Sequence, residues 1–286
     1  MAEENKRYKD SVFTDLFYSD RDAEKNLLEL YNALYDTDFT DPDVVEKCRL
    51  EDVIFMNFKN DVAALMSQKR LFLSEQQSTV NENMPLRMLL YVAREYEKLT
   101  DKRVRYRKRM VQIPTPQFIT FYNGTEPFPK EKIIKLSDAF IDKSISPELE
   151  LIVKVININT DSGAEIVKKC RILQEYSIFV DTARRCLSNN RDTGLEEAVN
   201  ECMKNGILKE YLSRKSVEVV NMLLAEYSYA EDIQEKSAEA KEEGRMEGIL
   251  ISKRVFQFLT KHPKADDKEV AKACQCTVAD VRNLRY

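Results

Sequence analysis

Three strand-like runs with almost nothing between them constrain this chain more than any other feature. Glu51 to Phe58 ("EDVIFMNF"), Asp61 to Met66 ("DVAALM") and Arg70 to Gln77 ("RLFLSEQQ") are separated only by "KN" and "SQK". Joints of two or three residues leave no room for a crossover, so the runs are expected to pair as antiparallel hairpins. After "NEN" the apolar period changes. From about Pro85 to Leu99 it places Met88, Leu89, Val92 and Tyr96 on one stripe, with proline near the first turn, which predicts an amphipathic helix. Gln117 to Gly124 ("QFITFYNG") then reads as a strand ending in an Asn-Gly turn, and Glu148 to Ile158 offers another. Upstream, Asp22 to Tyr35 carries Leu27, Leu28, Leu30, Tyr31 and Leu34 on one face and reads as a helix. A short helical turn through Phe13, Leu16 and Phe17 is expected before it, and "DTDFTDPDVV" after it reads as a loop. The order helix, three antiparallel strands, helix, strand predicts an α/β core.

Everything from about Ala164 to Ser252 is helical by pattern, with breaks expected near "NNRDTG" and "EEGRMEG". Only 6 Gly and 8 Pro in 286 residues agree with long helices rather than a loop-rich all-β fold. Near the end, "DDKEVAKACQCTVADVRNLRY" has helix-turn-helix spacing. Val270, Ala271, Cys274, Cys276, Val281 and Leu284 fall where two short helices would bury them, and Thr277 caps the second helix with Asp280 in its first turn. Gln275 stands where a turn glycine is usual. The expected organisation is a core over 1–160, a helical extension over 161–230, a charged helical linker over 231–250 and a helix-turn-helix-like module over 251–286. The linker's heptad pattern is too thin to fix a coiled coil, so a homo-oligomer stays open.

Six cysteines (Cys48, Cys170, Cys186, Cys202, Cys274, Cys276) lie scattered in helical patterns, and His262 is the only histidine. No pair has zinc-ligand spacing, which argues against a zinc site and against Cys-His or Ser-His-Asp catalysis. Free thiols in a reducing cytosol are the expectation. "MAEENKRYKD" lacks the apolar core of a signal peptide, and no run of about 18 apolar residues is present to cross a membrane. A soluble cytoplasmic protein is expected. A net charge of −4 carries no whole-chain signature of nucleic-acid binding, so such contact would come from local patches.

Alternation along the third run puts Glu75 and Gln77 on one face with Leu71 and Leu73. If "SQK" forms the turn, Met66 lies opposite Arg70 and Asp61 lies near Glu75. Two carboxylates on adjacent strands, with a backbone carbonyl between them, make an all-oxygen site that suits Mg²⁺. A metal there lowers the pKa of a water and stabilises charge on a phosphate. The plainer reading is a polar strand end that simply meets water.

"FKNDVAALMSQKRLFLSEQQSTVNENMPLRMLLYVAREYEKL", followed by "PTPQFITFYNGTEPFP", "LSDAF", "ELIVKVININ" and "ILKEYLSRKSVEVVNMLLAEY", resembles the Rpn family of recombination-promoting nucleases, also labelled transposases. That family belongs to the PD-(D/E)xK nuclease superfamily. The resemblance runs from about Lys9 to Glu247, and "QQST…N…NMPLR…Y" is its most specific block. It implies a PD-(D/E)xK-like core with metal-binding acids at Asp61 and Glu75, the Lys-equivalent position at Gln77, the Gln76 carbonyl as a further ligand and Glu29 of the first helix as an assisting acid. Two departures stand out. Gln77 replaces the superfamily's usual lysine, and Gln76 stands where many relatives have histidine. The implied activity is a Mg²⁺-dependent endodeoxyribonuclease (Mn²⁺ or Ca²⁺ as other cations) that hydrolyses DNA phosphodiesters and promotes DNA recombination.

Arg87 and Tyr91 share a face of the following helix. Arg87 could reach a DNA phosphate, hold Glu75 in place or make an ordinary helix-end contact. "DKRVRYRKRM" would, as a strand, project Arg103, Arg105, Arg107 and Arg109 from one face to track phosphates, or else serve as a charge-guarded edge. Arg282 and Arg285 on the last helix, with Lys264, Lys268 and Lys272 before it, would be the cations of a small DNA-reading or docking module; a merely structural helical pair has the same spacing. The competing classes are a catalytically weak or inactive DNA-binding or regulatory protein on the same scaffold, and a helical protein–protein adaptor. Strand transfer needs three acids in a different fold, and no such spacing is seen.

Overall fold

A computed structural model describes residues 11–48 and 61–285. The strand expected over 51–58 lies outside the described residues. The chain folds as α/β around a six-stranded mixed sheet of order β1-β2-β3-β4-β6-β5. Its strands are β1 (Val45–Lys47), β2 (Val62–Met66), β3 (Arg70–Gln77), β4 (Thr115–Tyr122), β5 (Glu131–Lys135) and β6 (Ile152–Asn157). The β2–β3 joint forms the expected antiparallel hairpin, with Met66 opposite Arg70 and Val62 opposite Ser74. Ser67 and Gln68 both take positive φ (49° and 57°), and the Lys69 N–H donates to the Met66 carbonyl at 3.1 Å. That left-handed pair matches the twist of the flanking strands.

The sheet departs from the expected pattern at several points. β1 lies in and just beyond the stretch read as a loop and pairs antiparallel with β2. Three residues carry too little pattern to announce a strand, and the hydrogen bonds of β2 decide it. Beyond β3 the sheet turns parallel, because the helix α3 (Met84–Leu99) carries the chain back before β4 pairs with β3, and β6 then pairs parallel with β4. β5, "EKIIK", passed unread because its only apolar residues, Ile133 and Ile134, are adjacent and flanked by charges, so no alternation announces a strand. The strand expected from Glu148 begins only at Ile152.

The two sheet faces are covered by different helices. Leu71 and Leu73 pack with Met84, Met88, Tyr91 and Val92 of α3, so its predicted stripe is the buried one. On the other face, Phe72 meets Tyr31 of α2 (Ala23–Tyr35) at 5.7 Å between ring centroids, edge to face. Phe121 there meets Phe13 at 5.4 Å, and Phe13 meets Tyr176 of α6 (Arg171–Asn189) at 5.5 Å. Phe13 belongs to α1 (Val12–Thr14), which runs into a π-helical turn over Asp15–Ser19. Each fully buried ring of this kind stabilises the fold by about 2–3 kcal/mol.

After α4 (Lys102–Arg105), α5 (Glu165–Lys169), α6 and α7 (Gly194–Lys204) comes α8 (Lys209–Lys261), whose only non-helical backbone is at Lys215 (φ −129°, ψ 24°). "EEGRMEG" therefore does not break the helix: Gly244 and Gly248 lie inside it. The "NNRDTG" break is present between α6 and α7. The chain divides into a unit ending at Ala225 and a second beginning at Glu226. In the second, α9 (Asp267–Cys274) and α10 (Val278–Arg285) close over the last turns of α8, and Val255, Val270, Ala271, Cys274 and Val281 form its core. Among the described residues, no helix is long and apolar enough to cross a membrane.

Candidate active site

Parallel pairing brings the carboxyl ends of β3, β4 and β6 level, with Gln77 beside Tyr122 and Tyr122 beside Asn157. Ligands in open α/β sheets bind at such an edge. Glu75 sits two rungs in, 2% exposed, on the α3 face. A single nitrogen of Arg87, Nη2, lies 3.0 Å from its Oε1 and 2.9 Å from its Oε2. The same Nη2 donates to the Tyr91 hydroxyl at 3.2 Å, and Gln77 Nε2 donates to Glu75 Oε2 at 3.3 Å. Burial pushes the Glu75 carboxyl above the usual range, opposed by the Arg87 charge and by hydrogen bonds from Tyr91, Gln77 and Arg87. The i, i+4 pair of α3 thus reaches Glu75, and of the roles open to Arg87 the structure displays the one that holds the carboxylate.

Asp61 immediately precedes β2, one step before the Val62–Ser74 rung, which places it across from Glu75 as the hairpin register predicts. Its Oδ2 accepts the Gln76 N–H at 2.6 Å. Both backbone groups of a strand residue point to the same side, so the Gln76 carbonyl is directed to the β2 side of β3 as well. The Gln76 side chain leaves for the opposite face, where its Nε2 donates to Asn123 Oδ1 at 2.5 Å. Asn123 Nδ2 in turn donates to the Tyr176 hydroxyl at 3.2 Å, and Arg184 Nη2 donates to the Asn123 carbonyl. Asn123, Tyr176 and Arg184 were not singled out from the sequence. Only the Asn-Gly turn at residues 123 and 124 gave a local signal, and it spoke of a turn rather than a site.

The donors at this edge suit a hard cation in kind. Thr120, directly beside Glu75 on β4, has a buried hydroxyl with no hydrogen-bond partner. It lines a cavity of about 10 Å³ with Gln77 and Met84, the size of one water. Asp61, Glu75 and the Gln76 carbonyl are oxygen ligands of the class Mg²⁺ takes while retaining waters. No cluster of three His, Cys, Asp or Glu side chains able to hold a metal occurs among the described residues, so a cation here would rest on two side chains and a carbonyl.

Other residues singled out from the sequence lie elsewhere. Glu29 is on α2, which covers the sheet face opposite Glu75. Its Oε1 accepts the backbone N–H of Arg171 at 2.5 Å and of Ile172 at 3.2 Å, so it satisfies the first turn of α6. Arg103, Arg105, Arg107 and Arg109 are exposed, but they do not form the expected strand: α4 turns at Lys102–Arg105 and irregular backbone follows. This loop joins the end of α3 to Thr115, which pairs with Arg70. It therefore lies at the amino ends of β3 and β4, five residues of strand from Glu75, or about 17 Å. Arg282 Nε lies 3.4 Å from Asp267 Oδ2, and Arg285 Nε lies 3.0 Å from Asp267 Oδ1.

A second polar cluster was not anticipated. Asp15 and Asp20, both buried, meet Lys215 and Arg214 of α8. Lys215 Nζ lies 3.0 and 2.8 Å from the two Asp15 oxygens, and Arg214 bonds both Asp20 oxygens at 3.1 Å. Tyr211 donates to Asp15 at 2.7 Å. These charges are mutually satisfied, and they tie the π-helical turn to α8. No protein-family model, curated protein or solved structure matches the chain.

Proposed function

We propose that this protein is a metal-dependent DNA endonuclease whose centre is the Asp61–Glu75 pair at the carboxyl edge of β3. The observation that carries this reading is the placing of the two acids on one hairpin rung, with the Gln76 N–H bonded to Asp61. Mg²⁺ would be held by Asp61, Glu75 and the Gln76 carbonyl. When bound, it supplies a water of lowered pKa and neutralises charge on a phosphate. Gln77, whose Nε2 reaches Glu75 Oε2, is neutral and therefore orients rather than neutralises. Arg87 keeps the Glu75 oxygens turned to one side, and Tyr91 keeps Arg87 there. The resemblance to recombination-promoting nucleases supports the same assignment of Asp61, Glu75 and Gln77.

A second reading is favoured by one specific observation. Arg87 Nη2 already bridges both oxygens of Glu75, as a cation would, and amides stand at both 76 and 77. A DNA-binding or regulatory protein with a feeble centre would carry such an arrangement. Plasmid nicking across Mg²⁺, Mn²⁺ and Ca²⁺ separates the two. The nuclease reading expects cleavage by the wild type and a loss of about 100-fold or more in Asp61→Ala and Glu75→Ala, with circular dichroism unchanged. Full activity in either variant defeats the assignment, and duplex binding without cutting in any metal favours the second reading.

A further inference from the structure

β5 ends the sheet and, among the described residues, pairs only with β6. The Asn157 N–H donates to the Lys130 carbonyl and the Leu136 N–H to the Leu151 carbonyl, at 3.0 and 2.9 Å. In an antiparallel pair the residues bonded to a neighbour alternate. The even-numbered residues of β5 are therefore bonded to β6, and the N–H and C=O groups of Glu131, Ile133 and Lys135 point outward; of these, the Lys135 N–H already donates to Asp138 Oδ2 at 3.3 Å, a long bond that the partner strand would replace. The side chains of these same three residues are exposed together on the face away from α3, where Ile134 is buried instead.

We propose that β5 pairs antiparallel with β5 of a second copy of this chain about a two-fold axis at Ile133, which joins the two sheets into one. The backbone parity allows this, because Ile133 then faces its own mate and exchanges both hydrogen bonds with it. Glu131 faces Lys135 of the partner subunit on either side. The charges are complementary in this register alone, since pairing centred on Glu131 or on Lys135 sets like charges opposite each other. Lysines on an edge ordinarily repel a strand; here Lys135 meets Glu131 of the partner subunit, which Lys154 of its own sheet also holds, and Lys132, on the other face, lies 3.2 Å from Glu82 of its own chain. Ile152 of β6 is diagonal to Ile133 across their rung, and the two are half exposed (50% and 51%). Pairing therefore lines up four isoleucines across the two-fold axis, two from each copy, and gives the contact an apolar strip between its ion pairs. This is an isologous interface, the commonest kind in homodimers.

Sedimentation equilibrium of the full chain under reducing conditions tests it. The wild type is expected to dimerise. Ile133→Pro removes the outward N–H while leaving every β5–β6 bond in place, and is expected to be monomeric with an unchanged circular dichroism spectrum. Glu131→Lys is expected to raise the dimer dissociation constant about tenfold or more, and adding Lys135→Glu is expected to return it toward the wild-type value. A wild type that stays monomeric at every attainable concentration overturns the proposal. So does a dimer indifferent to Ile133→Pro and Glu131→Lys. A dimer lost only on Leu250→Glu also overturns it, because the contact would then lie on the exposed α8 stripe of Met246, Ile249, Leu250 and Phe256.

Discussion

A carboxylate taken out of water persists only where something replaces its hydration, and two residues here do so in different ways. Glu75 has one guanidinium nitrogen, a phenol and an amide, and burial still wins: its carboxyl holds a proton to higher pH than usual. At Asp20 burial also pushes the pKa up. Hydrogen bonds from Arg214, the Asp22 backbone and Lys215 more than reverse it, and the carboxyl settles at about 2 against 3.8. The folded chain thus keeps Asp20 charged at pH values where the unfolded chain protonates it. The stabilisation is complete above pH 3.8 and is lost as the pH falls toward 2. It is worth on the order of 2 kcal/mol at neutral pH. Asp20→Asn is therefore expected to melt well below the wild type at pH 6, with the gap closing as both are titrated from pH 4 to pH 2 in calorimetry or thermal circular dichroism.

The terminal module separates the parts of an element that a local pattern announces from those it conceals. The cap of its second helix was legible: Asp280 N donates to Thr277 Oγ1 at 3.1 Å and Thr277 N to Asp280 Oδ2 at 2.8 Å, a reciprocal pair. Its core was also legible, because Val270, Cys274 and Val281 recur at helical spacing. Gln275, read as out of place, adopts the left-handed backbone that its turn demands (φ 52°) while carrying a Cβ that opposes it. Glycine takes that conformation without the steric cost, about 1 kcal/mol or somewhat more. Gln275→Gly is accordingly expected to raise the stability of the module by about 1 kcal/mol, read as a higher urea midpoint with the slope unchanged. Gly124 illustrates the opposite demand. A Cβ there would lie 2.0 Å from the Ser78 carbonyl oxygen, so the close approach of the chain just beyond β3 and β4 requires glycine.

Across the molecule, the basic run and the candidate centre stand close in sequence and apart in space. α3 runs from the Glu75 end of the sheet back to the Arg70 end, so Arg103, Arg105, Arg107 and Arg109 emerge where β3 begins. Exchanging these four for serine is expected to weaken DNA retention and flatten its logarithmic salt slope by about 3, measured by fluorescence anisotropy. Hydrolysis of a small phosphodiester such as bis(4-nitrophenyl) phosphate should not change, because such a substrate does not span that distance. Equal loss of both would place the loop at the chemistry after all. What the sequence determined by itself was set by neighbours along the chain: the β2–β3 hairpin and its register, the α3 stripe, the Thr277 cap and the facing of Asp61 and Glu75. Joint length and side-chain period act over a few residues and leave few alternatives. Only the tertiary structure decided the parallel half of the sheet, the strands β1 and β5, the capping of α6 by Glu29 and the remoteness of the basic loop. Those depend on which strand edge or helix end lies nearby once α3 has crossed the sheet, and hydrogen bonds between residues distant in sequence leave no period to read.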